Sequence, residues 1–214
     1  IQLLNGYNIK KIVTACPHCF NTIKNEYPEL GGNYDVIHHS TFLQELIDQG
    51  KVKMKEGGEF KGKKITYHDS CYLGRYCGVY DEPRKILEVL GYEVKEMDNN
   101  RENSFCCGSC GGLALINPTL ANKIARERIL QAKRINVKKM VVIGFENFDL
   151  LRKNVGDTGV EVLELSDVLA DSLGIKKTES VYEESIEGEE KILTETRANV
   201  RLQEEVKEGK VLSM

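Results

Sequence analysis

The 214-residue chain has no apolar run that approaches the roughly 18 to 20 residues a membrane-crossing helix requires. It has no surplus of basic charge either. Against 30 Lys and Arg stand 33 Asp and Glu, a net charge of −3, so nucleic-acid binding has no electrostatic support. There is no signal peptide and no initiator Met; Ile1 opens within a helix-like pattern, which reads as the interior of a longer protein. A disulfide framework is missing too. The seven cysteines are odd in number and cluster as Cys16 and Cys19, Cys71 and Cys77, and Cys106, Cys107 and Cys110. In a chain without secretory features that pattern favours metal or redox chemistry in a reducing compartment. What is present is ordinary globular composition, 41% hydrophobic and 29% charged, over a length that can bury a real core.

The chain repeats itself. Asn8-Ile-Lys-Lys-Ile-Val13 lies over Asn136-Val-Lys-Lys-Met-Val141, 128 residues on. Asp35-Val-Ile37 then lies over Glu161-Val-Leu163 and Thr41–Leu46 over Asp167–Ser172, both 126 residues on. The two-residue slip falls at Gly31-Gly32, where loop length costs little. Internal duplication of this kind sets the domain reading. Residues 1–57 are expected to be the C-terminal part of a first repeat, 58–175 a second repeat, and 176–214 a Glu-rich charged tail that could wrap a partner, with helical spacing over 194–207. The counterpart of segment 64–116 for the first copy is expected upstream of Ile1, in the same protein or on a split subunit.

Apolar runs and helical spacing alternate. Strands are expected over 12–14, 36–37, 65–67, 93–96, 140–143 and 160–165. Helices are expected over 20–27, 42–47, 82–90, 118–134, 145–151 and 168–173, with Pro83 and Pro118 in first turns. Short strands alternating with helices give an α/β fold with a mainly parallel sheet.

The cysteines sit where such a sheet presents its functional edge. Cys16-Pro-His-Cys19 follows a strand and opens a helix, where free N–H groups favour thiolate. That CxxC is open to three readings: a dithiol redox centre, a zinc knuckle, or iron–sulfur ligation. His18 is either a surface residue or a group that tunes the site. His68-Asp-Ser-Cys71 ends another strand. After 34 intervening residues comes the pair Cys106-Cys107, within Ser104-Phe-Cys-Cys-Gly-Ser-Cys-Gly-Gly112. Neighbouring cysteines bridge each other only through a strained ring, and they fill two tetrahedral zinc positions awkwardly. An iron–sulfur cluster accommodates adjacent thiolates on different irons, and the glycines let the loop curl around it. Arg75, and Arg84 or Lys85, could offset the negative charge of thiolate-bound iron; His38 and His39 follow a strand and could face the same edge.

The stretches IVTACPHCFNTIKNEYPELGG, TYHDSCYLGRYCGVYDEPRKIL and ENSFCCGSCGG resemble the cysteine-rich CCG-domain family over residues 1 to 173. That family includes catalytic subunits of heterodisulfide reductase and iron–sulfur subunits of glycolate and lactate oxidation systems. The resemblance implies a duplicated CCG domain, its first copy N-terminally incomplete. Cys16 and Cys19 would close a first ligand motif, and Cys71, Cys106 and Cys107 would open a second. At the second closing position, however, Gly144-Phe-Glu-Asn147 replaces CPxC, with Gly144 on Cys16 and Asn147 on Cys19. Cys77 and Cys110 are therefore expected to substitute as ligands. The implied cofactors are [4Fe–4S]-type clusters, cubane or non-cubane, with zinc as the alternative at one site. The implied function is an iron–sulfur subunit of a multi-subunit oxidoreductase, with ferredoxin-like, flavoprotein or quinone-linked partners and a cytoplasmic location that reaches a membrane only through a partner. The alternatives are disulfide reduction at the clusters, a zinc-stabilised interaction module, and thiol–disulfide exchange at Cys16 and Cys19.

Overall fold

The computed structural model describes residues 1–52 and 60–175; the expected tail and its helix lie outside the described residues. After helix α1 (Gln2–Gly6) come strand β1 (Lys11–Thr14), helix α2 (Pro17–Asn21), strand β2 (Asp35–His38) and helix α3 (His39–Asp48). Then follow β3 (Lys64–Tyr67), α4 (Asp81–Val89), β4 (Glu93–Val94), α5 (Leu113–Ile116), α6 (Pro118–Arg134), β5 (Lys139–Val142), α7 (Phe145–Lys153), β6 (Glu161–Glu164) and α8 (Leu165–Leu173). The fold is α/β with parallel sheets flanked by helices. One sheet has the order β4-β3-β5-β6, the other pairs β1 with β2, and every ladder is parallel.

Strand β5 shows why the sequence folds this way. Its run Met140-Val-Val-Ile143 is apolar throughout because both faces are covered, as helices on either side of a parallel sheet require. Met140 and Val142 pack with Ala125, Ile129 and Ala132 of α6. Val141 and Ile143 pack on the opposite face with Ile65, Tyr67, Ile86 and Leu87. Phe20 and Val36 belong to that same apolar group, so the segment before residue 57 and the segment after it share one core. Each such side chain contributes about 1.5–3 kcal/mol when fully buried.

The order strand, helix, strand, helix occurs in both stretches matched by the repeat. Asn8 and Asn136, 128 positions apart, both take left-handed backbone angles, with φ of 54° and 55°. Apart from glycine, only Arg101 shares that region among the described residues. The two stretches differ at one edge. β5 is flanked by β3, with Thr66 opposite Met140, and by β6. Among the described residues β1 pairs with β2 alone, and its Val13 is 44% exposed where Val141 is fully buried.

Two expected elements come out differently. The helix read over 20–27 is α2 followed by a π-turn at Thr22–Glu26 and a 3₁₀ turn at Tyr27–Leu30. Pro28 lacks the N–H that would continue the helical ladder, so the chain tightens into the 3₁₀ turn, and Gly31 at φ 82° caps it. Strand β4 stops at Val94, though Lys95 still donates its N–H to the Ile65 carbonyl at 2.7 Å.

His38 is fully buried beneath this edge. It meets the Ala15 carbonyl through Nε2 at 3.2 Å, and its Nδ1 accepts the Ser40 N–H. Burial first, and the neighbouring His39 second, hold its pKa down to about 3, against 6.5 for a free imidazole. The unfolded chain therefore binds a proton that the folded chain does not between pH 6.5 and about 3. Stability falls as pH drops through that window, by about 1.4 kcal/mol per unit. Thermal unfolding at pH 7 and pH 5 is expected to show a larger loss in the parent than in His38→Asn.

Candidate metal centre

The loops that matter follow β1, β3 and β5 or fill the stretch between β4 and α5. Strand β3 runs directly into His68-Asp-Ser-Cys71, whose first three residues are buried. The loop before α6 opens with a 3₁₀ turn, Arg101–Asn103, and turns through Gly108 (φ 89°), Gly111 (67°) and Gly112 (73°). Gly108 is held to glycine twice over. Its φ is left-handed, and a Cβ there would sit 2.7 Å from the Ala121 carbonyl of α6. That close approach presses the loop against α6, and the Gly108 N–H donates to Cys106 Sγ at 3.3 Å.

Three sulfurs meet as a result. Cys71, Cys106 and Cys110 place their Sγ atoms within 4.8 Å of one another, with Cys71 and Cys110 2.9 Å apart. Among the described residues this is the only trio of potential metal ligands so grouped. Cys107, 1% exposed, adjoins it in the same loop, its Sγ 3.1 Å from both Ser109 Oγ and Asn147 Oδ1. The four thiols share charge unequally. Hydrogen bonds from Cys107, Cys110 and Cys71 hold Cys106 far below the usual thiol range. Cys106 in turn pushes Cys107 up to about 11 and raises Cys110 and Cys71. A cation held here would be bound by the thiolate forms and would release the protons these thiols carry. The donor set is entirely sulfur, from two loops, one of them lined by an N–H aimed at sulfur. It fits an iron–sulfur group, and zinc takes the same thiolates.

The other expected residues are distributed around this group. Cys16 caps α2, its Sγ accepting the Cys19 N–H at 3.4 Å, and Cys16 is also the first cause of the raised Cys19 pKa. The turn they occupy abuts the second site. Pro17 fills the space beside Gly144, where a Cβ would lie 3.0 Å from Pro17 Cδ. The ring of His18 lies 4.0 Å from that of Tyr72, and its Nδ1 is 2.8 Å from Glu146 Oε2. Arg75 donates to the Ser104 carbonyl at 2.8 Å, bracing the cysteine loop. Cys77 lies apart from the trio: its sulfur is 3.9 Å from Asn21 Oδ1 and Asn25 Nδ2, and burial raises its pKa. The Arg84 guanidinium faces Asp69 and Glu96, and Lys85 is exposed. His39 buries both ring nitrogens with no hydrogen-bond partner.

Two residues at the centre, Ser109 and Asn147, carry no cysteine signal and so are not picked out by the sequence. Asn147, 1% exposed, accepts through Oδ1 from Ser109 Oγ at 2.6 Å and from Cys107 Sγ at 3.1 Å. Its Nδ2 donates to the Ile143 carbonyl at 2.9 Å and to Ser70 Oγ at 3.1 Å. The repeat marks position 147 as a lost cysteine; that an amide there would organise the sulfurs carries no signal beyond the alignment itself.

Residues 65–144 match the family model described as a cysteine-rich CCG domain. The chain is 43% identical over 136 residues to an EtfAB:quinone oxidoreductase of Syntrophomonas wolfei, covering 64% of this chain and 18% of that protein. It is 44% identical over 130 residues to a probable iron-sulfur-binding oxidoreductase, FadF, of Bacillus subtilis, covering 60% and 18%. It is 31% identical over 185 residues to a polypeptide of the dihydromethanophenazine:CoB–CoM heterodisulfide reductase of Methanosarcina barkeri, covering 82% and 44%. The chain therefore spans from 18% to 44% of these relatives' lengths. Among solved structures, a glutamate racemase of Bacillus anthracis overlays 81% of the chain and 62% of its own, with a TM-score of 0.37 at 13% identity, too loose a likeness to carry an argument.

Proposed function

Proceeding from a chain that carries a cysteine-rich CCG domain, we propose that it is an iron–sulfur subunit of a multi-subunit oxidoreductase that passes electrons through thiolate-held clusters. One observation carries the reading: Cys71, Cys106 and Cys110, with Cys107 beside them, converge at the sheet edge with no carboxylate or imidazole in the group. In this reading those four thiols are the ligands of the second site, Cys110 taking one of the places lost at positions 144 and 147. Cys77 is left out of the set by its orientation toward Asn21 and Asn25. Cys16 and Cys19 belong to the adjoining first site. An iron–sulfur group bound here supplies one-electron chemistry. The chain's own residues hold the sulfurs, direct the Gly108 N–H at Cys106, and brace the loop through Arg75.

Among the described residues one edge of β1 is unpaired, and that edge supports a partner. The repeat supplies β3 as the template for a parallel strand at that edge, whether it comes from the same protein or from a split subunit. Similarity to named oxidoreductase subunits supports further partners of flavoprotein, ferredoxin-like or quinone-linked type. Seven free cysteines support a reducing, cytoplasmic setting. Among the described residues no helix is long and apolar enough to cross a membrane.

A second reading, disulfide reduction at the clusters, draws on one specific feature. The CPHC turn packs against Tyr72, Gly144 and Glu146, so the two sulfur sites adjoin as a two-centre reaction on a disulfide would need. Anaerobically prepared protein distinguishes the possibilities. A brown chromophore that bleaches with dithionite and recovers with a one-electron oxidant supports electron transfer. Turnover of a thiol-coenzyme heterodisulfide with a reduced dye supports the second reading. A colourless protein that contains zinc contradicts both.

A further inference from the structure

Ser109 has one hydroxyl proton and three acceptors within reach. Asn147 Oδ1 is 2.6 Å away, Cys107 Sγ 3.1 Å and Cys110 Sγ 3.7 Å. The amide can take that proton because its orientation is fixed elsewhere. The Ile143 carbonyl is only an acceptor, so it must face Nδ2, and Ser70 holds the same end. Oδ1 is left pointing at Ser109 and at Cys107 Sγ, 3.1 Å away. Asn147 is 1% exposed, so no water competes.

We infer that Asn147 is a positioning residue that withholds the Ser109 hydroxyl from the cluster sulfurs and turns the negative end of its own dipole toward them. The inference rests on the iron–sulfur reading of this site. Hydrogen bonds to sulfur stabilise the reduced, more negative state of an iron–sulfur centre, and nearby negative dipole ends oppose it. The amide therefore keeps the second centre harder to reduce than its sulfurs alone would make it. The CxxC replacement has a steric companion. Gly144 has a left-handed φ of 97°, and a Cβ there would sit 3.0 Å from Pro17 Cδ of the CPHC turn, so a cysteine at 144 would be strained and would press on that turn.

The test is a redox titration of the second centre, followed by electron paramagnetic resonance, in the anaerobically loaded full chain. Asn147→Leu keeps the volume and removes the acceptor. The Ser109 hydroxyl then has only sulfur to bond, and the reduced-to-oxidised ratio at fixed ambient potential rises about tenfold, the worth of a hydrogen bond to a charged group. Ser109→Ala removes the donor and leaves the amide oxygen bare, which moves the ratio the opposite way. In the double variant the Leu effect shrinks, because the freed hydroxyl is gone. Shifts of the same sign in both single variants, or none, overturn the inference while leaving the iron–sulfur reading intact. Loss of iron from a folded Asn147→Leu makes Asn147 a ligand and also overturns it. If Asn147→Leu does not fold, the sign of Ser109→Ala decides. A parent protein without iron overturns the underlying reading instead.

Discussion

Cys110→Ser is expected to strip the second site of most of its iron, while Cys77→Ser leaves iron content unchanged. The two cysteines are equivalent in the sequence, since both stand where the CCG pattern does not call for one. Geometry separates them. Cys110 Sγ lies 2.9 Å from Cys71 Sγ and within the trio that includes Cys106. Cys77 faces two asparagines of the first repeat and packs against the apolar core. Losing even a partner that orients a ligand typically costs about 10–100-fold in metal affinity, and losing a ligand outright costs more. Iron and acid-labile sulfide per chain, measured on anaerobically loaded variants, decide it. Full iron in Cys110→Ser, or a loss in Cys77→Ser, contradicts the ligand assignment.

The second large effect is on stability. Arg84→Leu is expected to cost about 3–5 kcal/mol, the usual penalty for breaking a buried pair by removing one partner. Arg84 is 4% exposed and donates two hydrogen bonds to Asp69, at 2.7 and 2.9 Å, and two to Glu96, at 2.5 and 2.9 Å. Without it the Asp69 carboxylate, 1% exposed, keeps only the Arg101 N–H as a hydrogen-bond partner among the described residues. At about 2–4 °C per kcal/mol for a chain of this size, the thermal midpoint falls by about 6–20 °C. Asp69→Asn added to Arg84→Leu should recover part of that, because the uncompensated charge disappears. Asp69 lies two residues before Cys71, so this pair also fixes the strand end from which the first thiol projects. A drop of less than about 2 °C in Arg84→Leu, below the scale expected for one kcal/mol, would show the pair to be structurally idle.

Much of the fold is legible where a single period or a single residue type decides the outcome. The apolar run Met140–Ile143 reads as a strand, found as β5 (Lys139–Val142), and α6 spans Pro118–Arg134 as its proline and spacing indicate. Asn8 and Asn136, matched by the repeat, share a left-handed turn, a conformation that Asn adopts more readily than other non-glycine residues. What stays hidden depends on distant partners. Arg84 and Arg128 look like surface cations in a sequence, yet Arg128 is fully buried, bound to His68 Nδ1 at 3.0 Å and to Ser104 Oγ at 3.2 Å. Cys77 and Cys110 cannot be told apart in the sequence because nothing local says which way a loop cysteine turns. Asn147 is visible there only as the cysteine it is not.

The most direct measurement is anomalous scattering at the iron edge from crystals of anaerobically prepared protein. Sulfur gathered from the end of β3 and from the glycine-rich loop before α5 exists, on this account, to grip inorganic iron. A strong iron peak lying among the sulfurs of Cys71, Cys106, Cys107 and Cys110 is the predicted result. An iron peak held by other side chains, or a peak in the same place only at the zinc edge, would contradict it.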